Sequence, residues 1–515
     1  MQKTIKDLTA PLQALSALTE NPPKGLILLD TLVMQPRQLS LFPRSPAIMP
    51  GTIREKLITL LAEDLDFHSA NSNYASHQFH SFPAKYPPQL PQKFIAALTE
   101  PGDAVLDPMM GSGTTLVEAL LAKRQPIGFD TDPLAVRITR VKTTPLDKQK
   151  VLETGNAILT KAHLLSHDQR HLLREEYHQD WDVNTSKFVE YWFDKETQRD
   201  LCVLMREIRR ISDESDSRLS PVEALAAFFE VVFSAIIITK SGGVSLALDL
   251  AHTRPHRAKV IYNMKGDLLW GEEQLHQQRS RLQFISKKLR SVFDEFSDRF
   301  QRNVANLPPP EPDYLRPAIE YGDAQRLPLS DDCIDLIVTS PPYASNAIDY
   351  MRAHKFSLVW MGFSVNDLGK RRSQTIGGES TDGIVFDDLP SDTLKVVEEV
   401  AERDSKKGKV LHRYYSEMTR VLREMHRVLK PGKAAIVVVG SSIMRGRDTE
   451  TGHCLADIGR AIGFDVPAIG IRNLDRNRRM LPAGATLNQS SQIQQRMHQE
   501  YVIGYIKPQR LKSDG

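Results

Sequence analysis

The sequence predicts an α/β fold with a mainly parallel sheet, interrupted by a large helical insertion. Three observations carry that expectation. "PQLPQKFIAAL", "DAVLDP", "GTTLVEALLAKR" and "PIGFDTDP" (residues 88–133) read in turn as helix, strand, helix and strand. That is the rhythm of parallel strands joined by crossover helices. The rhythm resumes at "CIDLIVTSPPY" (333–343), passes through the helix "YYSEMTRVLREMHRVLKPG" and reaches the strand "KAAIVVVG", with "EYVIGYIK" as a closing strand. Between the two runs, residues 146–315 show helical apolar spacing and many charges, as in "KFVEYWFDKETQRDLCVLMREIRRI" and "GEEQLHQQRSRLQFISKKLRSVFDEFSDRF".

The bulk figures suit a globular chain of several domains. At 515 residues it is long enough for about two to four domains. Hydrophobic residues make up 41% and charged residues 25%, while a net charge of +3 leaves any polyanion to be held by local patches. Cys202, Cys333 and Cys454 have no paired spacing, so neither a disulfide framework nor a cysteine-rich zinc site is expected. No histidine spacing of the HExxH kind is present, and no metal is expected. The N-terminus lacks a charged segment followed by an apolar run, so a cytoplasmic protein without a secretory signal is expected. The most apolar stretch, "VEALAAFFEVVFSAIIIT" (222–239), carries Glu230 and reads as a buried core helix, not a membrane span. Residues 364–412 are polar and Gly-rich and read as a mobile loop.

"VLDPMMGSGTTLVEAL" (105–120) sets constrained features in sequence. A strand ends at Asp107-Pro108, Gly111 and Gly113 permit a tight turn and close backbone approach, and a helix opens with Ser112 or Thr114 as its cap. Such a loop presents N–H groups to a polar ligand. It lacks the lysine of a phosphate-binding loop, which disfavours a nucleotide triphosphatase. Twenty-three positions after Asp107, Asp130 closes the next strand, where an acid can accept the hydroxyls of a ribose. "GDA" places Asp323 ahead of "CIDLIV", and that strand runs into Ser340-Pro341-Pro342-Tyr343. Two prolines cannot continue a central strand, so the chain leaves the sheet there in a rigid corner. Strand C-termini of a parallel sheet share one edge, so Asp107, Asp130, Asp323 and Ser340 are expected to converge on one crevice. Taken alone, Asp323 reads equally as the cap of a turn.

These residues resemble the S-adenosylmethionine-dependent DNA amino-methyltransferases. "DPMMGSGTT" is similar to that family's cofactor loop, "TSPPY" to its catalytic tetrapeptide, and "HQFHSFPAKYPPQL" (77–90) to the segment before the loop. The resemblance covers about 71–145 and 316–506 and implies a Rossmann-like methyltransferase fold. It implies a cofactor site of Phe79, Asp107, Pro108, Gly111, Gly113, Thr114, Asp130 and Asp323. Asp107 would face the amino-acid portion, the glycines would form the floor, Asp130 would hold the ribose and Asp323 the adenine. It further implies that Ser340, Pro341, Pro342 and Tyr343 are catalytic. The Ser340 hydroxyl and Pro341 carbonyl would receive the target amino group of a base flipped out of duplex DNA, and Tyr343 would stack on that base. A serine before the proline pair leans towards cytosine N4 in this family, with adenine N6 as the alternative and an inactive DNA-binding relative as another. Methylation at cytosine C5 needs a cysteine nucleophile, and none of the three cysteines has that context.

The chain is accordingly divided into an N-terminal extension (1–70), a cofactor-binding part (71–145), the helical insertion with a DNA-contacting role (146–315) and a catalytic part (316–510). "DLAHTRPHRAK" (249–259), "GKRRSQ" (369–374) and "RNLDRNRRM" (472–480) are each able to grip phosphates, or else are solvated arginine clusters. His77 and His80 are read as pocket-wall residues. In the extension, "QLSLF" (Gln38–Phe42) resembles the peptide by which bacterial proteins bind the sliding clamp, with Leu39, Leu41 and Phe42 as anchors. A strand packed on the catalytic domain would read the same way. A role in host-DNA protection would bring a restriction or defence partner.

Overall fold

The computed structural model describes residues 51–83, 85–213, 221–239, 242–250, 253, 259–277, 282–308, 315–344, 349–474 and 499–509. The chain divides into two compact units, one comprising 42–145 with 306–515 and the other 146–305 with 1–41.

The first unit is built on a seven-stranded sheet. Its strands are β1 (Ala104–Asp107), β2 (Gln125–Asp130), β3 (Ala318–Tyr321), β4 (Ile334–Thr339), β5 (Leu429–Gly440), β6 (Asp465–Asn473) and β7 (Gln499–Ile506). Across the sheet they stand in the order β6-β7-β5-β4-β1-β2-β3. From β3 to β5 every pairing is parallel, and β7 runs antiparallel to both β5 and β6. The chain steps outward from β1 to β2 to β3 and then returns to the other side of β1 as β4. That reversal opens a crevice at the carboxyl ends of β1 and β4.

Side-chain alternation explains why the central strands are buried on both faces. Val105, Leu336, Val338, Ile436, Val438 and Val502 face one layer, which contains α1 (Ile53–Ala62), α2 (Gln89–Leu98) and α3 (Thr114–Leu121). Leu106, Ile337, Ala435, Val437, Val439 and Ile503 face the other. There they meet α7 (Ser391–Arg403), α8 (Ser405–Val428) and α9 (Thr451–Ile462). The remaining helices of this unit are α4 (Pro133–Thr143), α5 (Tyr350–Leu358) and α6 (Val365–Gln374).

Two sequence expectations change here. Residues 53–70 are not apart from this unit, because Leu57, Leu60, Leu61 and Leu65 are buried against the sheet. Their approach uses Gly504 of β7, where an added Cβ would stand 2.7 Å from Leu61 and 2.9 Å from Leu57. Gly504→Ala is therefore expected to destabilise the unit by about 1–3 kcal/mol through overpacking, read as a lower thermal midpoint. Residues 364–412 are largely helical and not a loop, since they contain α6, α7 and the start of α8. Val396, Val397, Val400 and Leu411 are buried there at helical spacing.

The second unit is mainly helical, with Lys148–Leu164, His167–Asp180, Val183–Trp192, Lys195–Asp213, Pro221–Ile237 and Val292–Val304 as its longer helices. The apolar stretch 222–239 is a core helix, with Phe228, Phe229, Val232, Phe233 and Ile237 fully buried. Among the described residues no helix is long and apolar enough to cross a membrane. The continuous helical reading of 271–300 gives way to short helices and a strand, Ser286–Lys288, which joins Val260–Tyr262 and Leu268–Trp270 in a three-stranded sheet.

Candidate active site

The loop after β1 is shaped by its own backbone and fastened to its neighbours. Gly111 (φ +48°) and Gly113 (φ +71°) both take left-handed conformations that side chains disfavour. A Cβ on Gly113 would also meet Thr139 at 2.5 Å. The Gly111 N–H donates to the Asp130 carboxylate at 2.8 Å, tying the loop to the end of β2. From behind, the buried Lys142 ammonium donates to the Ser112 carbonyl at 2.5 Å. The Ser112 hydroxyl is buried without a hydrogen-bond partner and lines the crevice. An orphaned polar atom beside a cradle of backbone is a place for a polar ligand.

Asp107 sits at the tip of β1, 2% exposed. Its carboxylate accepts from the Met109 N–H at 3.2 Å and from the Thr339 hydroxyl at 2.7 Å. Tyr86 is donor to its other oxygen at 3.5 Å and also bonds Thr115. Burial pushes the Asp107 carboxyl up to about 6, against the pull of those hydrogen bonds. Burial, then the neighbouring Asp132 carboxylate, pushes Asp130 up to about 7. Both acids therefore favour a cationic or hydroxyl-bearing ligand that stabilises their charged form.

The Pro-Pro corner arrives next to Asp107 because β4 pairs directly with β1, Leu106 standing against Ile337. Thr339, the first residue of "TSPPY", holds Asp107, so the loop and the corner share a hydrogen bond across 232 positions of sequence. An open crevice lies between them. Asp107, Pro108, Gly111, Thr114 and Asp130 line it on the loop side, and Asp323, Ser340 and Pro342 on the other. The expected convergence of four acids and hydroxyls on one edge is present, with Asp323 both lining the crevice and capping its own turn through the Gln325 N–H at 2.9 Å.

Comparison with known proteins identifies the arrangement. The DNA methylase family model for N6 and N4 methyltransferases matches residues 63–141, the segment that carries the loop and both acids. Over 402 residues the chain is 23% identical to the Type II methyltransferase M.MvaI of Kocuria varians, covering 74% of this chain and 80% of that protein. Both matches support the S-adenosylmethionine-dependent DNA amino-methyltransferase family of the N4/N6 type. Type II methyltransferase M.MjaII of Methanocaldococcus jannaschii is 32% identical over 125 residues, 24% of this chain and 23% of that one. A solved structure of a candidate DNA modification methylase from Thermus thermophilus matches 38% of this chain and 55% of its own at 18% identity. Its TM-score of 0.19 is too low to bear on the site.

S-adenosylmethionine is the family's methyl donor, and the residues of this crevice fit it. The loop backbone and the Ser112 hydroxyl offer polar contacts, Asp107 suits an ammonium, and Asp130 suits ribose hydroxyls. Other expected site residues stand elsewhere. Phe79 is 1% exposed and does not line the crevice; Phe82 does, stacked on Tyr350 at 5.4 Å between ring centroids. Gly113 shapes the loop without facing the crevice, and Pro341 is buried while Pro342 reaches the crevice wall. Tyr343 does not line the crevice; it is half-buried, its hydroxyl donating to Glu500 at 2.6 Å. His77 is buried behind the loop, 2.7 Å from Glu118. Sequence reasoning passed over Tyr86 and Asp132, although the Asp132-Pro133 pair is a readable helix start. Asp132 caps α4 and holds His354 at 2.5 Å.

The arginine clusters divide. Arg371 and Arg372 of α6 line the crevice, Arg372 paired with Asp349 at 2.7 Å. Arg472 is paired with Glu500, and the rest of its cluster from 475 onwards lies outside the described residues. Most of 249–259 also lies outside them, but Lys259 is buried with its ammonium 4.7 Å from the rings of Tyr191 and Trp270, so it is not placed to meet a phosphate. Gln38–Phe42 lies outside the described residues. Among the described residues no group of three or more histidine, cysteine, aspartate or glutamate side chains is placed to hold a metal.

Proposed function

We propose that the protein transfers a methyl group from S-adenosylmethionine to the exocyclic N4 amino group of cytosine in duplex DNA. The observation that supports this reading most is the meeting of Asp107 and Ser340 at the β1/β4 reversal, joined through Thr339. A base inside a duplex cannot reach such a crevice, so it is flipped out of the stack. S-adenosylmethionine supplies an electrophilic methyl on a sulfonium. Ser340 and the Pro341 carbonyl accept the two N–H bonds of the target amine, which turns its lone pair away from the ring and towards the methyl group. The nitrogen would take the methyl group from bound S-adenosylmethionine, the sulfur keeping the bonding pair as a thioether, and the methylated amine would lose one proton to water. Stiffness of the Pro-Pro corner keeps the acceptors where the charge develops. Serine before the prolines favours cytosine N4.

The test is methyl transfer from labelled S-adenosylmethionine to unmethylated plasmid DNA, followed by nucleoside digestion and mass spectrometry. N4-methylcytosine supports the reading. N6-methyladenine would keep the mechanism and replace the base, and cofactor binding without transfer would mark an inactive relative. Similarity to Type II methyltransferases supports a role in protecting host DNA beside a restriction partner. We further propose that Gln38–Phe42 docks on the bacterial sliding clamp. Changing Leu41 and Phe42 together to alanine is then expected to abolish capture by purified clamp while methyl transfer continues, and an intact protein that ignores the clamp would end this proposal.

A further inference from the structure

Three groups on three elements meet beside the catalytic corner. Tyr343 leaves the corner after β4, and its hydroxyl donates to Glu500 Oε1 at 2.6 Å. Glu500 lies on β7 and forms an ion pair through Oε2 with Arg472, its direct cross-strand partner on β6. Glu500 and Arg472 are both largely buried, their side chains 9% and 10% exposed. On its other side Glu500 stands opposite Gly440 of β5. The end of β6 is itself pinned, since the Asn473 N–H donates to Asp66 at 2.6 Å and its carbonyl meets His68 at 2.8 Å.

We propose that Glu500 and Arg472 are positioning residues that set the plane of the Tyr343 ring for the flipped base. The proposal rests on the methyltransferase reading above. A ring serves as a stacking platform only if its face is held, and a tyrosine on a corner loop is otherwise free to swing about two side-chain bonds. The hydroxyl-to-carboxylate bond is charge-assisted, hence stronger and more directional than a neutral one. Arg472 balances the carboxylate charge in a largely buried site, through one guanidinium nitrogen, Nη1, on Oε2. The tie commits the hydroxyl to Glu500, on a residue that directly follows Pro342 of the crevice wall. A purely structural ion pair at a sheet end would show none of this coupling to turnover.

The full-length protein and its Glu500→Gln, Tyr343→Phe and doubly changed variants are compared in steady-state methyl transfer to plasmid DNA from a methylation-deficient host. Each single change is expected to lower kcat about tenfold with KM for S-adenosylmethionine unchanged. The double variant is expected to be no worse than the worse single, because the second change removes a bond already broken. If Glu500→Gln fails to fold, Arg472→Lys in the parent and in the Tyr343→Phe background runs the same cycle, and the effect of the lysine is expected to vanish without the hydroxyl. Independent effects that multiply, or a lower melting temperature with kcat intact, would overturn the proposal and leave the methyltransferase reading standing. An intact protein that moves no methyl group to DNA would overturn both, since no base would then meet Tyr343.

Discussion

Replacing Ser340 by alanine is expected to lower the rate of methyl transfer by about 10²–10³-fold while cofactor binding stays as in the parent. The expectation follows from where the side chain stands. Ser340 is half-buried, lines the crevice, and sits one residue beyond Thr339, whose hydroxyl is committed to Asp107. Pro341 and Pro342 have no N–H groups, so the corner offers the target amine acceptors and no competing backbone donor. Removing one hydroxyl there takes away an acceptor used as the amine changes geometry, and it disturbs little else. The loop, Asp107 and Asp130 are on other strands, so affinity for S-adenosylmethionine measured by calorimetry is the control. A rate within tenfold of the parent, at unchanged affinity, would remove Ser340 from the chemistry and leave the Pro341 carbonyl as the acceptor to test.

What could be read from the sequence was whatever a local pattern determines. β1, the glycine turn and α3 follow one another within a few residues, and each has its own signature in apolar run, glycine or helical spacing. The double proline marks the end of β4 for the same reason. The expected convergence needed one global rule, that parallel strands share an edge, and it placed Asp107, Asp130, Asp323 and Ser340 together. Features set by tertiary partners were not legible. β3 is four residues long and mostly exposed, and β6 contains Pro467 and Gly470, so neither declares itself before pairing with a neighbour. Ser286–Lys288 lies in a helical pattern and becomes a strand because Val260–Tyr262 is beside it. Choosing Phe82 over Phe79 required knowing which way the chain turns between them. The bond between Tyr343 and Glu500 spans 157 positions and has no local trace.

Changing Asp107 to asparagine is expected to weaken S-adenosylmethionine binding by about 10- to 100-fold at pH 8, the worth of a charged hydrogen-bond partner, without loss of fold. Asparagine keeps an oxygen for the Met109 N–H and the Thr339 hydroxyl, so β1 remains tied to β4. What disappears is a negative charge. In the parent that charge is present only above about 6, and the charge on Asp130 only above about 7. Affinity for a cationic cofactor is therefore expected to rise with pH through 6 and 7, changing about tenfold per pH unit for each acid below its own midpoint. The stability of the cofactor-free protein runs the other way. Both acids bind protons more tightly folded than unfolded, their ordinary value being 3.8, so stability is greatest below that value and declines as pH rises towards 7. The parent thus holds two desolvated carboxylates, one buried and one half-buried, whose ionisation destabilises the empty fold and whose cost is offset when the cofactor is bound. Calorimetry and thermal melts from pH 5.5 to 8 separate these effects. In Asp107→Asn the rise in affinity through pH 6 should vanish while the step near 7 from Asp130 remains, and the empty protein should melt higher than the parent at pH 8. A parent whose affinity is flat across that range would show that neither carboxylate meets the cofactor's charge.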